Sequence, residues 1–256
     1  MTTTISSNRH SGKCRLCLQV RPLVASHIIP NFQFKGLKKI EGHFYELSTN
    51  ESVPERKQQR GFTERLLCAE CDNRRLQKNE DYFARVWTHG KLPEPQQHGR
   101  FLIFREHDYK RCKNFLLSIL WRMSVSSLDI FNEVSLGPKH EEVLRAYILA
   151  DREFDEQEYA ITVTAPFIEE RLYEDFMLQP DSARLDGNRI YRCVIAGMLY
   201  TFFVGSAPLR PEVHALSLRR EEFPIAKMDV KEIPFLAHAM GRLGKANNVR
   251  ENSRRR

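Results

Sequence analysis

The sequence predicts an α+β fold with a zinc-stapled N-terminal module, a helical middle and a β-rich C-terminal part. Three observations predict it. Two Cys-x-x-Cys pairs, Cys14/Cys17 and Cys68/Cys71, bracket a segment with no sustained helical period. Apolar residues then recur at i, i+3, i+4 spacing between residues 109 and 148. After Asp151 the texture turns to β-rich runs punctuated by turn signals.

The chain has 256 residues, enough for one large domain or a small module joined to a larger one. Residues 1–12 read as a flexible leader; the start is polar, without the apolar run of a secretory signal. The longest apolar stretch, Cys193 to Gly205, is too short to cross a membrane and contains Gly197, Tyr200 and Thr201. A cytoplasmic protein with no membrane partner is the expectation. The six cysteines are an even number, which would also permit disulfides. Paired Cys-x-x-Cys motifs without a signal read instead as metal ligands in a reducing compartment. Four thiolates in two tight pairs suit a tetrahedral Zn²⁺. Cys112 and Cys193 sit among apolar residues and read as buried, inert thiols.

The elements follow in order. Residues 13–90 form the zinc module. The first knuckle leads into a short strand ending near Ser26-His27-Ile28-Ile29-Pro30. Residues 31–67 read as a long loop with short strands, including His43-Phe44-Tyr45-Glu46-Leu47. A helix is expected from about Ala69 to Trp87, with Leu76, Tyr82, Phe83, Val86 and Trp87 facing a core. Residues 91–243 form a mixed helical and β part of open role. Its clearest helix runs from Tyr109 to about Ser127, and Gly137-Pro138 opens another. Ala160 to Thr164 is a strand, Asp186-Gly187-Asn188 a turn, and Gly197 a turn or bulge within the run Arg189 to Val204. Residues 244–256 read as a basic, disordered tail.

The net charge of +7 is unevenly placed. Residues 1–75 carry 13 Lys/Arg against 7 Asp/Glu, and residues 242–256 carry 6 against 1. The stretch between them is acidic, with 21 basic and 25 acidic residues. A basic module and tail are the footprint of a surface that meets nucleic-acid phosphates, although a positive balance also serves solubility alone. Arg56, Lys57, Arg60 and Arg65 are the candidate phosphate contacts.

Cys-x-x-Cys, then Ser-His-Ile-Ile-Pro, then Leu-Leu-Cys-x-x-Cys running into a helix resembles the HNH, or ββα-metal, endonucleases with a four-cysteine structural zinc. The resemblance covers about residues 13–85. It implies an N-terminal zinc-stapled ββα module and hydrolysis of nucleic-acid phosphodiesters, DNA in the first place. In such a module a strand-borne histidine removes a proton from water and a single divalent ion supports the phosphate. Mapped here, His27 takes the general-base position. Ser26 stands where the family usually has a carboxylate or histidine. Asp72, after the last cysteine, is the best ligand for Mg²⁺ or Mn²⁺, with Glu80 as a further candidate. On an α-helix Asp72 and Glu80 would be about 80° apart.

Each residue also has a plainer reading. His27 suits a buried histidine bonded to a carbonyl, Asp72 a helix N-terminal charge, Glu80 an ion pair, and His43 a surface position. The alternative function is a catalytically degenerate HNH-fold module that binds nucleic acid or a protein. By analogy with bacterial and phage defence systems, it would serve as a subunit of a larger complex; a third reading is a nuclease active only inside such a complex, with the C-terminal part as its docking platform.

Overall fold

Turn chemistry sets the β-rich half. Asp186 and Gly187 both take positive φ between the paired Leu185 and Asn188, and Ala196 and Gly197 do the same between Ile195 and Met198. Two residues with positive φ make the two-residue hairpin turn that matches strand twist. The computed structural model describes residues 11–35, 42–88, 94–168, 171–172 and 176–242. The expected tail, 244–256, lies outside these residues, as do residues 1–10 of the expected leader. Ser11 and Gly12, also assigned to that leader, instead pair with Pro22 and Arg21.

Two sheets form. Strands β1 (Ser11–Lys13), β2 (Val20–His27) and β5 (Thr63–Cys68) make a small antiparallel sheet in the order β1-β2-β5. Between β2 and β5 come the short helix α1 (Phe32–Lys35) and the strands β3 (Phe44–Leu47) and β4 (Arg56–Gln58). After β5 a helical stretch contains α2 (Gln77–Phe83), flanked by π-helical turns at Cys71–Leu76 and Ala84–Thr88. Then follow β6 (Gln96–His98), β7 (Phe101–Phe104), α3 (Tyr109–Val125) and α4 (Gly137–Ala150). The C-terminal strands are β8 (Ile161–Ile168), β9 (Arg171–Leu172), β10 (Phe176–Leu185), β11 (Asn188–Ile195) and β12 (Met198–Val204). Helix α5 (Pro211–Ala215) and strand β13 (Phe223–Asp229) complete the set, and residues 234–242 are helical.

The large sheet runs β4-β3-β10-β11-β12-β8-β13-β7-β6, with β9 on β8. Two of its strands, β3 and β4, come from the N-terminal module: β3 pairs in parallel with β10 through Tyr45, Glu46 and Leu47. Period-two alternation gives the sheet two apolar faces. Tyr191, Cys193, Ile195, Tyr200 and Phe202 share one core with α3. Phe176, Leu178, Val194 and Leu199 share another with Leu236 and Ala239.

Helix α3 is the hub. Asp108 caps it, its side chain accepting from the Arg111 N–H. Its Cys112, Phe115, Leu116, Ile119, Leu120 and Met123 are buried as their spacing predicts, but so are Lys113, Asn114, Ser118, Trp121 and Arg122. The helix is enclosed on nearly every side. Phe83 stacks on Phe115 with centroids 4.2 Å apart, which locks the helix after β5 onto α3. Cys112 and Cys193 are buried thiols whose pKa burial pushes up.

A four-cysteine cluster beside a histidine site

The first knuckle turns on local hydrogen bonds. The Cys14 N–H donates to Gln19 O, and the Leu18 N–H donates to Cys14 O at 2.8 Å, with Leu18 at positive φ. The second knuckle forms where β5 runs into the helix. Register brings the pairs together: Leu23 of β2 lies opposite Cys68, and the Arg15 N–H donates to Leu66 O. The sulfurs of Cys14, Cys17, Cys68 and Cys71 then lie within 4.8 Å of one another. Cys17 Sγ and Cys68 Sγ are 3.9 Å apart. Tetrahedral coordination with Zn–S bonds of about 2.3 Å needs sulfurs about 3.8 Å apart, so the cluster fits a metal such as zinc.

Its electrostatics are those of crowded thiols. Burial opposes ionisation of Cys14, yet N–H groups of Cys17, Cys68 and Leu16 bring its thiol down to about 7. The Cys68 N–H lies 3.4 Å from Cys14 Sγ. Burial pushes the Cys71 thiol up, and the neighbouring Cys14 charge pushes it further. Four thiolates cannot crowd together without a cation to neutralise them.

The histidine lies at the far end of β2 from this cluster. The β2–β5 ladder is irregular between Val24 and Ser26, and such irregularities re-aim side chains. Ser26 is fully buried; His27, opposite Thr63, is half-buried. Asp72, in the first π-helical turn, accepts a hydrogen bond from the Ser26 side chain and feels the His27 ring. Its carboxyl is pushed up by burial, which outweighs the lowering by Arg122, Ser26 and His27. The π turns hold more residues per turn than an α-helix. They therefore bring Asp72 and Glu80 nearer one face than a straight α-helix would.

Sequence reasoning missed Arg122. It is 1% exposed, and its guanidinium bridges the elements of the site. Nη1 donates to His27 O and to Glu80 Oε1, both at 2.8 Å. Nε and Nη2 donate to the Ser118 carbonyl and hydroxyl, both at 3.2 Å. Glu80 is thus paired with a buried arginine 42 residues away rather than with a neighbour on its own helix. Among the described residues, the four cysteines are the one grouping of three or more His, Cys, Asp or Glu side chains closed enough to hold a metal. Asn79 is buried. Phe83 and Trp87 stack on each other in the core, 5.5 Å between centroids.

The candidate phosphate contacts divide. Lys57 and Arg60 line a cleft with His43, Gln58 and Gln59. Arg56, the first residue of β4, is not part of that lining, and Arg65 donates to Leu23 O at 3.2 Å. Among the described residues no helix is long and apolar enough to cross a membrane.

Compared with protein-family models, curated proteins and solved structures, the chain matches none of them. The resemblance to HNH endonucleases therefore rests on the order of the sequence motifs alone.

Proposed function

We propose that the chain is an HNH-like endonuclease that hydrolyses nucleic-acid phosphodiesters, DNA in the first place, with zinc on the four cysteines as its structural staple. The observation that carries the reading is the convergence of Asp72 on Ser26 and His27, residues 45 and more positions apart in sequence, where β2 meets the helix after β5.

In this reading His27 removes the proton from the attacking water as the general base. Asp72 would hold a single Mg²⁺ or Mn²⁺ through its carboxylate. When bound, that ion would stabilise charge on the phosphate and the leaving oxygen. Arg122 holds the His27 backbone and Glu80 in place and adds fixed positive charge beside Asp72. Lys57 and Arg60 supply phosphate contacts nearby.

One observation favours a second reading, a binding module without catalysis. Glu80 Oε1 is already paired with Arg122, and Ser26 contributes no carboxylate, so of these three described residues Asp72 is the one acidic ligand left over. Plasmid cleavage separates the two. The enzyme reading expects nicking with Mg²⁺ or Mn²⁺, its loss in Asp72→Ala, and partial rescue of that variant by higher Mn²⁺. Wild-type protein inert with every divalent ion, yet still binding DNA, would establish the second reading.

A further inference from the structure

The cleft beside β4 holds about 430 Å³, within the roughly 300–1,000 Å³ typical of ligand clefts. Its lining of His43, Lys57, Gln58, Gln59 and Arg60 holds two cations, two amides and an imidazole, with no carboxylate. The nearby Glu46 is 3% exposed, and its oxygens accept from Gln58 and Gln179, each at 2.6 Å. The cleft is therefore electropositive.

Flat rings accompany the charge. Lys57 Nζ sits 5.4 Å over the Tyr45 ring, and the His43 ring meets Tyr45 edge-on at 5.3 Å. The cleft also adjoins the histidine site. Arg60 precedes Gly61, where an added Cβ would lie 3.6 Å from His27 Cδ2. Gly61 thus faces the Phe34 ring, 3.1 Å from that Cβ position, with the edge of the imidazole beside it.

Cations next to the His43 ring suit an anion that carries a planar group. A base stacked inside a duplex offers no free face, whereas an unpaired base does. The geometry points to a subsite for one unpaired nucleotide of a nucleic-acid strand, with its phosphate on Lys57 and Arg60 and its base against His43. This inference rests on the nucleic-acid reading above and adds the strand type and the residues that select it. Arg56 and Arg65 lie outside the subsite.

The test is fluorescence anisotropy with the full chain carrying His27→Ala, so that cleavage plays no part, and no added divalent ion. The probes are a labelled single-stranded oligonucleotide of about a dozen nucleotides and the matching duplex, each titrated at about 50 to 200 mM salt. The single strand should bind more tightly than the duplex. Lys57→Ala with Arg60→Ala should weaken single-strand binding about ten-fold and flatten its log–log salt slope by about 1.4, the share of two phosphate contacts. Arg56→Ala with Arg65→Ala should leave it within about two-fold. A mononucleotide should compete at concentrations where inorganic phosphate does not. A duplex bound as tightly as the single strand, equal losses from the two variant pairs, competition by phosphate alone, or no binding would each overturn the assignment. Failure of the nuclease reading appears elsewhere, as absence of cleavage by the wild-type protein.

Discussion

Replacing Arg122 with Met should be among the most damaging single changes near the histidine site. The substitution keeps an unbranched side chain of similar length but removes every hydrogen bond of the guanidinium. It leaves the His27 and Ser118 carbonyls without that donor and strips Glu80 of its cation. Breaking a buried ion pair by removing one partner costs about 3–5 kcal/mol. Arg122 is 1% exposed but Glu80 is 22% exposed, so water can reach the stranded carboxylate and the lower end applies, about 3 kcal/mol. In a chain of this size that lowers Tm by about 6–12 °C. Glu80→Gln keeps an acceptor for the guanidinium and should cost less, about 1–2 kcal/mol. Urea denaturation of the zinc-loaded wild type, both single variants and the double variant gives the coupling. The double variant should lose at least 1 kcal/mol less than the two singles combined, since each single already breaks the same pair. Strict additivity, or an Arg122→Met loss under about 1 kcal/mol, would refute the view that this pair joins β2, α3 and the helix after β5.

Cys68→Ser should abolish metal retention. The metal-closed span from Cys17 to Cys68 covers 51 positions, and by analogy with a cross-link of that length its closure is worth about 4 kcal/mol. Metal analysis and thermal denaturation check this; a variant that keeps both its zinc and its Tm would contradict it. Lys113 should make stability depend on pH. Burial brings its pKa down to about 7, against the opposing pull of Asp155, Glu158 and Glu156. Because the folded value lies below the unfolded one, its stabilisation is full above about pH 10.4 and declines as pH falls toward 7. Lys113→Met should therefore gain on the wild type as pH drops through that window, as read by urea midpoints, and a constant difference would count against it.

Much of the site was legible because its signals are local. Cysteine spacing marks a metal cluster wherever the chain folds, and Asp186-Gly187 marks a hairpin because few residues tolerate that φ. The stripe of Phe115, Ile119 and Met123 announces α3. What stayed hidden depends on contacts made at long range. Arg122 looks like an ordinary polar residue on an amphipathic helix, and nothing nearby says that α3 is enclosed and that its guanidinium reaches a carbonyl 95 residues earlier. The parallel pairing of β3 with β10 joins segments more than 120 residues apart, which no short-range period records. The π-helical turns that draw Asp72 toward Glu80 leave no mark on residue type. His43, with its plain surface pattern, entered the cleft only once β3 and β4 had paired.

The central claim is that His27 performs chemistry on a frame held by the four cysteines. The direct measurement is His27→Ala beside wild type, with plasmid cleavage, zinc content and oligonucleotide affinity read on the same preparations. Loss of a general base should cut cleavage by a factor of about 10² to 10⁴ while zinc and affinity stay near wild type. Cleavage that survives in His27→Ala, or a parallel fall in all three properties, would contradict the claim.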